Sequence, residues 1–144
     1  MTIQAILDHK GRDVITISGQ ATLKDAADKM SVHGIAALIV KDGDTITGIA
    51  SEREIVCAIA RCGERALAMP VTAILTPDRM VPVSPQASIK QAMNLMTRHH
   101  VRHLPVVSDG KLVGIVSIGD IVKRRVEDLE MESNVLRDVY IAAR

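Results

Sequence analysis

HHVRHLPVVSDGKLVGIVSIGDIV, running from His99 to Val122, is the stretch whose reading decides the fold. Two apolar runs, Leu104–Val107 and Leu112–Val116, flank Ser108-Asp109-Gly110. Asp-Gly accepts positive φ, so the pattern predicts a tight hairpin. Both runs are nearly continuously apolar, which predicts a sheet covered on both faces. Ser117 and Asp120 follow three residues apart, where the second strand ends and a helix begins. A carboxylate that accepts from vicinal hydroxyls, beside the cations Arg102 and His103 and a helix N-terminus, would make a nucleotide-binding corner. Ser-x-x-Asp is also an ordinary capping box that needs no ligand, and from spacing alone that is the commoner reading.

The stretch occurs twice. Shifted by 66 residues, Ile17–Val56 falls on Val83–Val122 without a gap, with 14 identities in 40 positions. Gln20/Gln86, Lys24/Lys90, Met30/Met96, His33/His99, Gly48/Gly114, Ser51/Ser117 and Ile55/Ile121 are among them. Ile3, Ile6 and Leu7 also recur as Val71, Ile74 and Leu75. Two copies of so long a period are too few for a solenoid. They predict two similar halves packed about a pseudo-twofold axis, with boundaries at 1–68 and 69–144.

Within each copy the local signals agree. A short helix is expected over residues 2–8 and a strand over Val14–Ile17. Thr22 with Asp25, and Ser88 with Gln91, read as capping boxes. Leu23, Ala26, Ala27 and Met30 then carry one apolar stripe, and Ile89, Ala92, Met93 and Met96 the other. Gly34 ends the first of these helices. Ala37–Val40 and Thr45–Ala50 predict a hairpin around Lys41–Asp44, followed by a helix from Ser51 to Arg61 that Gly63 stops. From about Ile118 a long helix begins, with Ile121, Val122, Val126, Leu129, Leu136, Val139 and Tyr140 recurring irregularly. It exceeds what one repeat needs, leaving apolar surface for the other half or a second subunit.

Composition removes several function classes. The 144 residues are 47% hydrophobic and 24% charged, with net charge +1 and one aromatic residue, Tyr140. No global field draws the chain to nucleic acid, and stacking platforms for single strands are absent. No stretch approaches the ~18–20 apolar residues of a membrane span, and the N-terminus lacks a signal-peptide pattern. A cytoplasmic protein is expected. Cys57 and Cys62 read as reduced thiols, Cys57 on the apolar side of its helix. His99, His100 and His103 diverge if the helix ends near His99, and no neighbouring carboxylate or thiol completes a metal site. No P-loop, GxSxG or HExxH pattern is present, so no enzyme is predicted.

A duplicated β-α-β-β-α half, with G-I-x-S-x-x-[DE] leading into each second helix, resembles the tandem CBS domain, or Bateman module. The motif is Gly114-Ile115-Val116-Ser117-Ile118-Gly119-Asp120 in copy two and Gly48-Ile49-Ala50-Ser51-Glu52-Arg53-Glu54 in copy one. Arg102–Val107 (RHLPVV) and the connectors Ile3–Asp8 and Val71–Thr76 are also typical of it. The resemblance spans essentially the whole chain and is nearest to small bacterial proteins made of one CBS pair. It implies an α/β (α+β) regulatory module that binds adenosine nucleotides (AMP, ADP, ATP or NAD(H)) between its repeats, with no cofactor required. It further implies ribose recognition by Asp120 and, in copy one, Glu54. Phosphate would be met by Ser117, Arg102 and His103, and by Ser51 and Arg53 in copy one. Adenine would enter an apolar slot near Val14, Ile15, Val81, Val83 and Ile115. A homodimer acting on an unknown regulated protein follows by the same likeness.

Copy one departs from the pattern. Glu54 replaces the aspartate, and Ala36 and Ala37 stand opposite Arg102 and His103. The Asp120 site is therefore expected to be the better mononucleotide site. The alternative is a dimerising scaffold whose ligand sites have decayed.

Overall fold

The computed structural model describes residues 1–143. Helix α1 (Ile3–Lys10) is followed by β1 (Thr16–Ser18), α2 (Leu23–His33), β2 (Ala37–Asp42), β3 (Thr45–Ser51) and α3 (Glu52–Cys62). Three short 3-10 turns bridge residues 63–79, and then come α4 (Ile89–His99), β4 (His103–Ser108), β5 (Lys111–Ser117) and α5 (Ile118–Ala142). The architecture is mixed α/β, with two β-α-β-β-α repeats and a long C-terminal helix.

The capping boxes at Thr22/Asp25 and Ser88/Gln91 both form: each hydroxyl accepts the N–H three residues on, and each side chain there accepts the cap's N–H. Gly34 closes α2 at φ +62°; its counterpart His100 closes α4 at φ +54°. Asp109 and Gly110 both have positive φ, the backbone of a type I′ hairpin turn. β2 pairs antiparallel with β3 and β4 with β5, and each hairpin carries a bulge at the same place, Val40/Lys41 and Val106/Val107. β1 adds a parallel edge to β2, whereas in copy two this edge shrinks to one bridge, Val83 to Val106.

The halves exchange their leading segments. Ile3, Ile6 and Leu7 of α1 are buried in the core of the second repeat, with Ile89, Ala92, Met96, Leu104, Val106, Val116 and Ile121. Val71, with Ile74 and Leu75, packs reciprocally on the first core of Leu23, Ala26, Met30, Leu38, Val40, Ala50 and Ile55. Backbone bonds fasten both exchanges: Ile3 N to Ala87 O (2.9 Å) and Gln4 N to Pro85 O (2.8 Å) on one side, Val71 N to Ala21 O (2.8 Å) and Thr72 N to Gly19 O (3.2 Å) on the other. The two glycines of the repeated motif make room for the exchange. A Cβ on Gly114 would come within 2.7 Å of Leu7 Cδ2, and one on Gly48 within 3.2 Å of Leu75 Cδ2. Such reciprocal contacts are what a pseudo-twofold relation between the repeats requires.

Several expectations need correction. β1 begins at Thr16, so Val14 and Ile15 precede the strand. α1 extends to Lys10 rather than ending at residue 8. Met93 is 46% exposed, because the buried stripe of α4 centres on Ile89, Ala92 and Met96 and places Met93 at its margin. Cys57 is also exposed, since α3 turns only Ile55 and Ala58 inward and leaves Val56 and Ile59 outside. On α5 only Ile121 is buried, and every residue from 129 to 143 is exposed. Among the described residues no helix is long and apolar enough to cross a membrane.

Candidate functional site

The two strand-to-helix corners face one another. β3 ends at Ser51 and β5 at Ser117, and α3 and α5 start immediately after them. Both starts are anchored alike: Glu52 N donates to Ala36 O (2.9 Å), and Ile118 N donates to Arg102 O (2.8 Å). Between them lies a cleft of about 640 Å³, lined from copy one by Ala36, Ile49, Ser51–Glu54, Val56 and Cys57, from copy two by His100–His103 and Ser117–Gly119, and by Arg79 of the connector. That volume is in the range of small-molecule sites.

Its electrostatics favour an anion. Arg53, Arg79 and Arg102 face it against Glu52 and Glu54, and Arg79 already pairs with Glu54 at 3.6 Å. The positive ends of α3 and α5 add to the same field. Guanidinium forks match the spacing of phosphate oxygens. His103 is half-buried, and burial is the main cause that holds its imidazole below its ordinary pKa. Asp120 raises it and Lys10 lowers it further, so His103 faces the cleft as a neutral donor and acceptor near pH 7. A smaller recess of about 340 Å³ adjoins, with Arg53, Glu54, Cys57, Arg61, Met69, Leu75, Thr76 and Arg79 in its wall.

The structure thus brings Ser51, Arg53, Glu54, Arg102, His103 and Ser117 to one cleft. Asp120 is not in its wall but is bonded to Ser117, which is. Its Oδ2 accepts from Ser117 N (2.8 Å) and from Lys10 Nζ (2.7 Å), while Ser117 Oγ accepts from Asp120 N (3.1 Å). Partial burial pushes the Asp120 carboxyl up, but the hydrogen bonds from Lys10 and Ser117 and the Lys10 charge outweigh it and hold it below the usual carboxylate range. Glu54 repeats the arrangement: Ser51 N donates to Glu54 Oε2 (3.2 Å), and the Ser51 hydroxyl bonds the same oxygen. Of the apolar residues, Val81 and Val83 pack with the second core and Ile15 with the first, and none of Val14, Ile15, Val81, Val83 and Ile115 lines the central cleft.

Four contributors escape a reading of motifs. Lys10 ends α1 and Arg79 lies in the last turn between the repeats, and each pairs with an acid of the other repeat. His100 and Cys57 enter the cleft wall through the αL cap of α4 and the outward turn of α3. The repeat sets His100 opposite Gly34, while for Cys57 the sequence offers only its place on the apolar side of α3. Among the described residues no group of three or more His, Cys, Asp or Glu side chains could hold a metal ion.

Comparison with known proteins agrees with this geometry. The family described as CBS domain matches residues 8–61 and 71–127. CBS domain-containing protein CBSX3, mitochondrial, of Arabidopsis thaliana is 32% identical over 135 residues, which cover 88% of this chain and 66% of that one. The crystal structure of the CBS-domain containing protein ATU1752 from Agrobacterium tumefaciens superposes with a TM-score of 0.83 at 38% identity, covering 86% of this chain and 92% of that one. The hexameric CBS-CP12 protein from bloom-forming cyanobacteria superposes with a TM-score of 0.72 at 30% identity, over 85% of this chain and 69% of that one. With both repeats matched, the chain belongs to the CBS-domain family.

Proposed function

We propose that this CBS pair is a regulatory module of the cytoplasm that binds adenosine nucleotides (AMP, ADP, ATP or NAD(H)) between its repeats and passes the occupancy on to a partner protein. One observation carries the reading: a cleft of about 640 Å³ between the repeats gathers Arg53, Arg79, Arg102 and two helix N-termini. Phosphates occupy the centre, and the two motif carboxylates, Asp120 and Glu54, flank it for ribose hydroxyls. Because both repeats build the cleft, a ligand alters how one half is held against the other. This role needs no catalysis.

The chain acts as a homodimer on this reading. Val56 and Ile59 of α3 and Ile118, Val122 and Val126 of α5 are 41–63% exposed, and they give two apolar faces related by the repeat. The hexameric assembly of the CBS-CP12 relative supports self-association.

The test is a thermal-shift and calorimetric screen of adenine nucleotides on wild type and Asp120→Ala. A ligand at 100 times its dissociation constant stabilises the native state by about 2.7 kcal/mol. Wild type should shift and Asp120→Ala should lose most of the shift. Absence of binding to wild type at millimolar nucleotide defeats the sensor reading. Equal binding by Asp120→Ala defeats the assignment of the ribose carboxylate. A second reading, a dimerising scaffold with decayed ligand sites, is favoured by one feature: both motif acids are already satisfied by cations of the protein itself.

A further inference from the structure

Lys10 is the last residue of α1, the segment that the first repeat lends to the second. Its ammonium donates to Asp120 Oδ2 (2.7 Å) and to the Ile115 carbonyl (2.9 Å), so it bridges the motif acid and the strand that leads to it. Both side chains are partly buried, 32% and 24% exposed. This is not an isolated surface pair. The connector that precedes the second repeat supplies Arg79 to Glu54, the motif acid of the first, at 3.6 Å. Each repeat's entry segment therefore places a cation on the other repeat's motif acid. The two pairs differ in quality: only Lys10 closes a short, charge-assisted hydrogen bond.

We infer that Lys10 is a specificity-determining residue of the Asp120 site, selecting phosphorylated nucleosides over the bare nucleoside. The inference rests on the ribose role proposed above for Asp120. A vicinal diol that grips the carboxylate through both oxygens must take Oδ2, the oxygen that Lys10 holds. Exchanging an ammonium for a neutral hydroxyl gives up a charge-assisted bond and leaves a partly buried cation with only the Ile115 carbonyl. A phosphate on the same ligand re-pairs that cation; adenosine brings nothing that does. Lys10 thus opposes adenosine and tolerates, or assists, AMP. Arg79 stands further from Glu54, so the copy-one acid is less strictly guarded.

The experiment is calorimetric titration of the full-length protein with adenosine and with AMP, for wild type, Lys10→Gln and Lys10→Arg. Glutamine keeps an N–H donor, one bond shorter in reach, but carries no charge, and a cooperative urea transition verifies its fold. Wild type should prefer AMP. In Lys10→Gln the preference should fall by about tenfold, the order of one charge-assisted hydrogen bond, with adenosine binding tighter than to wild type. Lys10→Arg should restore the preference, and serves as the reporter if Lys10→Gln does not fold: an Arg variant that loses the preference overturns the inference. A ratio unchanged in Lys10→Gln, or an equal loss of both ligands, also overturns it and makes Lys10 a structural clamp. Failure of wild type to bind AMP overturns this inference, and failure to bind any adenine nucleotide of the screen above defeats the nucleotide reading itself.

Discussion

Leu7→Ala should unfold the second repeat more readily than the first, although Leu7 precedes the first. Leu7 is 1% exposed and lies in the core of Val83–Ile121. Opposite it stands Gly114, which has no side chain that could lean into the space vacated. Little collapse is available, so the loss falls in the range for buried leucines, about 3–5 kcal/mol. With a urea m-value of about 2 kcal/mol/M, the midpoint drops by about 1.5–2.5 M. Gly114→Ala acts from the other side: its Cβ meets Leu7 Cδ2 at 2.7 Å, and overpacking costs about 1–3 kcal/mol. The double variant removes that clash and refills part of the cavity, so the cycle should show a favourable coupling of at least about 1 kcal/mol. Urea denaturation of the four proteins measures the cycle, and amide exchange assigns the loss to α4, β4 and β5. Strictly additive penalties, or exchange that quickens only in β2 and β3, would refute the exchanged packing of α1.

Other consequences can be checked alongside. His103 has a depressed pKa when folded, so between that value and its ordinary 6.5 the unfolded chain binds more protons. Its contribution to stability is complete above pH 6.5 and is lost as pH falls through the folded pKa. His103→Asn should flatten the stability–pH slope in that window, by at most about 1.4 kcal/mol per pH unit; an unchanged slope contradicts it. His100 holds φ +54° where copy one has glycine, so His100→Gly should stabilise by about 0.5–1 kcal/mol in thermal melts. A loss would mean that its imidazole makes contacts worth more than the strain. Truncation after Asp128 removes, among the described residues, only exposed ones. It should leave the melting temperature nearly unchanged and, on the homodimer reading, keep the dimer mass by light scattering, because Val56, Ile59, Ile118, Val122 and Val126 all remain; a truncated chain that falls to monomer would move the interface to the end of α5.

The repeat made most of the fold legible. Once Ile17–Val56 was set on Val83–Val122, the hairpins, the capping boxes and the corners at Ser51 and Ser117 followed from local chemistry, because turn residues and caps act within a few positions. What escaped was everything that depends on how the halves exchange parts. Ile3, Ile6 and Leu7 match Val71, Ile74 and Leu75 in sequence, but periodicity does not say which core each triplet enters. The same limit hid Lys10 and Arg79, whose acids are brought near only by that exchange. Met93 and Cys57 were misjudged for a more local reason. Apolar spacing marks a broad face of a helix, and the edge of that face is set by the neighbour against which it packs.

The central claim is that nucleotide occupies the space between the repeats, and amide hydrogen exchange with and without saturating AMP tests it most directly. Protection should rise in the segments around Arg102–His103, Ser117–Ile121 and Ser51–Glu54, which build the cleft from both halves. No change with AMP, ADP, ATP or NAD(H) at millimolar concentration, or protection confined to the exposed end of α5, would contradict it.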